Sequence, residues 1–193
     1  MKRGKMISGV ELVEFILKHA GPVPQKKLQK LAYLCEIEYI IKHGQRLSDL
    51  TFKRYYYGPY SDDIRNIEGL DDNIVTEEKT NGLYTLKESK IKTSRAGTIK
   101  PEIEQELVSY IKKYNEKSGK ELESIADNTD PYLETEKIND PIDLDGYAWY
   151  YSKINSDDFW KAVEMKDEEN IKNGVYGRHI IKNKEELNSY LMG

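Results

Sequence analysis

Between Pro24 and Gly44 runs QKKLQKLAYLCEIEYIIKH, a stretch with neither proline nor glycine. Leu28, Leu31, Ala32, Cys35 and Tyr39 recur in it at helical spacing, which predicts one helix of about five turns with a buried face. Pro24 suits its first turn and Gly44 its end. The chain has 193 residues, enough for one compact domain or a domain with an appendage, so this helix must be a principal strut. Lys26, Lys27 and Lys30 gather near its N-terminal end, where cations oppose the helix dipole. They need another role there or are merely solvated.

Other elements declare themselves around this strut. Ser8 and Glu11 have capping-box spacing ahead of Val10, Leu12, Val13, Ile16 and Leu17, and Gly21-Pro22 stops that helix. LTFKRYYY (50–57) is rich in aromatic residues and reads as a strand. NIVTEEKTNGLYTLKE (73–88) reads as two short strands turned at Asn81-Gly82. Residues 89–100 have no period and read as a basic loop. Pro101 opens a helix striped by Ile103, Leu107, Tyr110, Ile111 and Tyr114, and Ser118 with Glu121 repeats the capping box. The two Asp-Pro pairs of residues 128–146 indicate a loop. Ser156 starts a further helix, a strand is expected near Val175–Ile181, and Asn183 caps a last helix. The sum is an α+β chain, mostly helical, with a small hairpin and a winged-helix-like N-terminal layout.

The most aromatic stretch is RYYYGPYSDDI, residues 54–64. Gly58 tolerates the backbone required before a proline, Pro59 sets the exit, and Ser61 caps a short helix with Asp62 and Asp63 in its first turn. Gly58, Pro59 and Ser61 therefore read as architecture. Tyr55, Tyr56, Tyr57 and Tyr60 are the interface candidates, because tyrosine buries a large area at little rotamer cost and keeps a polar tip. On a strand, one or two of them would face the core.

Charge and chemistry narrow the function. Residues 1–100 hold 18 Lys/Arg against 13 Asp/Glu and residues 101–193 hold 12 against 21. That basic excess is far short of a nucleic-acid footprint, although it could meet an acidic partner. The single cysteine, Cys35, excludes an intrachain disulfide and multi-cysteine metal sites and suggests a reducing, cytoplasmic setting. His19 and His43 fall at helix ends, where they complement carbonyls, and His179 is isolated. DPIDLDG fails the calcium-loop template, because Pro141 and Ser152 stand where ligands are required. No phosphate loop or nucleophile elbow is present. A signal peptide or membrane span is not expected, and neither is an enzyme.

Two blocks carry a family resemblance. Lys27, Leu28, Gln29, Lys30, Leu31, Tyr33 and Leu34, followed by Tyr57, Gly58 and Pro59, resemble the paired signature of the SocA-like antitoxins, or Panacea domain. In a third block, residues 121–135, relatives tend to show His before Pro-Trp; here Asn128 or Thr129 stands at the His and Tyr132 at the Trp. The resemblance spans roughly residues 8–135. It divides the chain into a Panacea-type domain (1–135) and a C-terminal extension (136–193), which could pack on the same domain. It implies a mostly helical protein without a cofactor, which binds a toxin directly or delivers it to a protease. Lys27, Lys30 and Tyr33 beside the corner are then expected to join its tyrosines in receiving the partner. With Lys30 on the surface, Lys30→Glu should abolish binding at a stability cost of no more than about 1 kcal/mol. A winged-helix-like DNA-binding regulator is the alternative, supported by the layout and the lysines but opposed by Asp62, Asp63 and Glu68 on the short helix.

Overall fold

The computed structural model describes residues 6–81, 84–93 and 99–172. The strand expected near Val175–Ile181 and the helix after Asn183 lie outside these residues. In chain order the elements are α1 (Gly9–Ala20), β1 (Val23–Pro24), α2 (Gln25–His43), α3 (Asp62–Arg65), α4 (Ile67–Leu70), β2 (Ile74–Asn81) and β3 (Tyr84–Ile91). There follow α5 (Pro101–Asn115), α6 (Gly119–Asp127), α7 (Asp130–Leu133), α8 (Leu144–Ile154) and α9 (Asp157–Lys172). The chain is mostly helical with one three-stranded antiparallel sheet, ordered β1-β3-β2. Helix, strand, three helices (two of them of four residues) and a hairpin whose second strand pairs with the first strand make up a winged-helix-like layout.

α2 is the axis of the fold. It packs against α1, α5, α6 and α8, and every residue from Leu28 to Ile37 is buried. The middle of the helix, surrounded on all sides, has no solvent face, so the polar residues there are buried with the rest, while Lys26 and Lys42 near its ends stay exposed. The single buried face expected from the spacing of its apolar residues is thus too narrow a reading. Gln29, Lys30 and Glu36 all lie inside. Buried polar groups require partners, and these three find theirs on the segments that α2 must hold in place.

Glu36 shows how this works. Its carboxylate accepts from Arg46 Nε (2.6 Å), from the Leu47 and Ser48 backbone amides (3.0 and 3.1 Å) and from Ser48 Oγ (2.8 Å). The loop that leaves α2 after Gly44 is folded back onto the helix by this one side chain. Burial pushes the Glu36 carboxyl up from its ordinary range, and the Arg46 guanidinium opposes that shift.

The expected strand at 50–57 does not form. Its backbone is extended, but Lys53 makes only isolated bridges, to Tyr60 and to Pro141. Lys53 and Tyr60 exchange both backbone hydrogen bonds (2.8 and 3.0 Å), and a turn closes between Tyr55 and Gly58, with the Gly58 amide donating to the Tyr55 carbonyl (3.2 Å). The Gly-Pro corner reverses the chain before a ladder can grow. The hairpin forms where it is expected, but Asn81 ends β2 opposite Tyr84 instead of standing in the turn, and β3 extends to Ile91 into the stretch expected to be a loop.

The segment after α6 also differs from its reading as a loop, since it contains α7, and the Tyr/Trp-rich stretch beyond it forms α8. α8 lies against α2 through buried Leu144, Ala148 and Ile154, and Asn155 Nδ2 donates to the Ile41 and Lys42 carbonyls at the end of α2 (3.1 and 3.2 Å). No helix among the described residues is long and apolar enough to cross a membrane.

Candidate functional site

The sequence blocks singled out above meet in space, and polar side chains of α2 make the junction. Gln29 pairs with both backbone groups of Ser61, donating from Nε2 to the carbonyl (2.9 Å) and accepting at Oε1 from the amide (2.7 Å). From the next residue, Lys30 Nζ donates to the Pro59 carbonyl (2.8 Å). Ser61 Oγ in turn accepts from the Ile64 amide (3.4 Å), starting α3. Two successive residues of one helix thus grip Pro59 and Ser61, on either side of Tyr60.

The corner is equally fixed from the other side. Arg54 Nη1 donates to the Tyr132 and Thr135 carbonyls (2.7 and 2.8 Å), and its guanidinium lies 4.4 Å from the centre of the Tyr132 ring. The Tyr132 hydroxyl donates to the Tyr55 carbonyl (3.1 Å). Tyr33, fully buried, shares a hydrogen bond with Thr129 Oγ1 (2.7 Å) and meets Phe52 edge to face. Burial raises its phenol well above the ordinary range. The third block, with its Thr129 and Tyr132, is therefore the floor under the corner.

Glycine at 58 is required twice over. Its φ is +84°, a backbone that side chains rarely adopt. A Cβ there would stand 2.6 Å from Asp127 Oδ1 and 2.9 Å from Lys30 Cε. Asp127 Oδ1 is itself buried and has no hydrogen-bond partner among the described residues. Burial pushes the Asp127 carboxyl up, with the Lys30 ammonium acting against the shift.

The residues expected to receive a partner divide into two sets. Tyr33 is core, Lys30 is only 6% exposed, and Lys27 donates to the Asn115 carbonyl at the end of α5. These three hold the scaffold. Lys27 also answers the dipole question: its charge serves the C-terminus of α5 rather than opposing α2 alone. Tyr56 and Tyr57 are exposed at 71% and 57%, while Tyr55 and Tyr60 are half-buried and stack on each other at 4.9 Å. Alternation of faces fails for this run because Tyr55–Gly58 is a turn. Lys26 Nζ lies 4.5 Å over the Tyr57 ring, and Lys53 Nζ lies 5.5 Å from that of Tyr60.

A cleft of about 450 Å³ opens beside the corner, between the first turns of α2 and α6. Tyr55, Tyr57 and Tyr60 line it with Lys26, Lys30 and Lys120. One exposed aromatic ridge and one adjoining cleft are thus built together on α2, the corner and α6. The sequence model of one family, described as Antitoxin SocA-like, Panacea domain, matches residues 28–131. The chain belongs to that family. No curated protein and no solved structure matches it significantly. The Panacea match runs from Leu28 through Pro131 and so contains Gln29, Lys30, the corner and Thr129.

Gln29, Arg54 and Asp127 were missed by sequence reasoning as parts of this site. Gln29 stood inside the quoted helix motif, and a glutamine at a core position of a helix was the available signal. Arg54 and Asp127 carry no such mark, because the groups they meet lie far along the chain, Tyr132 and Thr135 for Arg54 and Gly58 and Lys30 for Asp127.

Lys30 has a measurable consequence. Burial holds its ammonium down at about 8, against an ordinary 10.5, with Asp127 pulling the other way. Between those values the unfolded chain binds more protons than the folded one, so stability due to this group rises with pH across that window. The gain is at most on the order of 3 kcal/mol. Urea unfolding of the native chain and of Lys30→Met should show the native chain gaining on the variant from pH 8 to 10.5, with a constant difference below pH 7. A difference that stays flat throughout would show that Lys30 is not desolvated. Burial also corrects the expectation for Lys30→Glu, which would place a second carboxylate beside Asp127 and is a folding probe rather than an interface probe.

Proposed function

We propose that this chain is a non-enzymatic antitoxin that neutralises a toxin by direct contact, using the corner at Tyr55–Tyr60 as its docking surface. One observation carries the reading: Tyr56 and Tyr57 stand in solvent on a turn whose flanks are held, Pro59 and Ser61 by buried Lys30 and Gln29 and Tyr55 by Tyr132. Burying a lysine costs free energy, and a turn needs no such clamp merely to connect two elements. A rigid aromatic ridge loses little entropy on binding, which is how interface anchors work. The family supports a toxin as the partner; delivery of that toxin to a protease is a further step of the same reading.

Tyr56→Ala/Tyr57→Ala should keep the fold, since both rings are exposed, and should weaken toxin binding by about 2 kcal/mol or more, some thirtyfold in Kd. The measurement is co-expression with the product of the neighbouring gene, followed by calorimetry on the purified pair. Rescue of growth with unchanged affinity would remove the corner from the interface.

The winged-helix-like order of elements favours DNA binding as the second reading, and the charges oppose it. α3 carries Asp62 and Asp63 in its first turn. Across the hairpin Lys79 pairs with Glu88, Lys87 with Glu78 (3.8 Å) and Lys90 with Glu77 (2.6 Å). Lysines already matched to carboxylates on the neighbouring strand have little charge left for phosphates.

A further inference from the structure

The cleft beside the corner differs in chemistry from the ridge. Three of its lining residues are the cations Lys26, Lys30 and Lys120, against one carboxylate, Glu123. Lys26 rests on the Tyr57 ring, and Lys30 is buried with its amine on the Pro59 carbonyl. The third wall is the start of α6. There the capping box uses the Ser118 and Glu121 amides and leaves the Gly119 and Lys120 amides outside it, and the space beside Gly119 is open. Exposed cations, leftover helix N-terminal amides and tyrosine rings around one cavity complement an extended chain bearing carboxylates. Carboxylates elsewhere near the corner are Asp62, paired with Lys53 (2.6 Å), Asp63 on α3, and Asp130, Glu134 and Glu136, which share their surface with Lys137 beyond α6. A carboxylate-bearing segment is therefore directed to this cleft and turned away from its surroundings.

We propose that the cleft formed by the first turns of α2 and α6 and by Tyr55, Tyr57 and Tyr60 binds an acidic, extended segment of the partner protein. The proposal rests on the antitoxin reading only for the statement that the toxin supplies this segment. The tyrosines flank the segment's side chains, Lys26 and Lys120 meet its carboxylates, and the α6 amides face its backbone or terminal anion. The ridge and the cleft then form one continuous footprint, with the ridge contributing apolar area and the cleft contributing sign selectivity.

The test uses the full chain and a blocked pentapeptide, Ac-Asp-Glu-Leu-Glu-Asp-NH2, followed through backbone amide NMR shifts. Millimolar peptide should shift the Gly58 and Gly119 amides. Lys26→Glu/Lys120→Glu should weaken that binding by about tenfold or more, and the exposure of both lysines keeps the fold intact. Lys100→Glu/Lys112→Glu makes the same charge change on exposed residues outside the cleft and should leave binding within about twofold. Equal binding of the peptide with Lys in place of each acid, tighter binding of orthophosphate or of an oligothymidylate, or no shift at these amides would each overturn the proposal. Growth rescue against the neighbouring gene's product is scored separately. Rescue without peptide binding sinks the cleft and leaves the antitoxin reading standing; peptide binding without rescue supports the cleft and sinks that reading.

Discussion

Gly58→Ala will destabilise the folded chain by about 2–4 kcal/mol and abolish whatever the corner binds. The backbone at φ +84° costs a side-chain-bearing residue on the order of 1–2 kcal/mol, and the remainder is steric. The new methyl would meet Asp127 Oδ1 and Lys30 Cε inside 3 Å. Neither atom is the free end of an exposed side chain: Oδ1 is buried, and the lysine is held through its amine to Pro59. Relief would require Lys30 to release that carbonyl, which loosens the turn carrying Tyr56 and Tyr57. Chemical denaturation measures the first effect and toxin affinity the second. A stability loss under about 0.5 kcal/mol would mean that the corner is softer than its contacts suggest. As a control for conformation alone, Gly21 also has a positive φ (+76°) but has open space where a Cβ would stand, so Gly21→Ala should cost only the backbone term.

Glu36→Ala carries the largest expected stability effect, about 3–5 kcal/mol. It removes the acceptor for Arg46, for two backbone amides and for the Ser48 hydroxyl, all at a fully buried position of α2. Arg46, whose side chain is only 12% exposed, would keep the Leu50 carbonyl (2.6 Å) and a longer contact to exposed Asp145 (3.5 Å). That leaves much of its charge uncompensated. Against a total stability of about 5–15 kcal/mol, such a loss brings the chain close to unfolding at growth temperature. Thermal unfolding followed by circular dichroism checks it. Glu36→Gln should be milder, because the amide still accepts from one or two of the same donors. Equal melting temperatures for the native chain and Glu36→Ala would show that the loop is not held by this carboxylate.

These two sites illustrate which features local sequence reveals. Helix limits were legible where the cause is local: Ser8 with Glu11 and Ser118 with Glu121 form both halves of their capping boxes, Pro101 begins α5 and Gly44 ends α2. The Asn81-Gly82 signal located the hairpin for the same reason, although Asn81 itself pairs with Tyr84 at the end of β2. The strand at 50–57 failed because β propensity describes a residue's fit to a pleated surface, and the chain turns at Tyr55–Gly58 before such a surface exists. Of the proposed binding residues, the tyrosines of the corner could be read as a cluster. Which of them face solvent could not, because the period-2 rule has no meaning on a turn.

By itself the sequence determined the central helix, the capped helix starts, the hairpin and the Gly-Pro corner, all governed by interactions within a few residues. The tertiary structure alone decided what the polar residues of α2 do. Spacing marks an apolar face, but the elements packed around the middle of α2 leave Gln29, Lys30 and Glu36 at most 6% exposed. Each must then spend its hydrogen bonds on distant chain, Gln29 on Ser61, Lys30 on Pro59 and Glu36 on the Arg46–Ser48 loop. The same burial that moves Lys30 from the surface into the scaffold is what leaves Tyr56 and Tyr57 standing out in solvent.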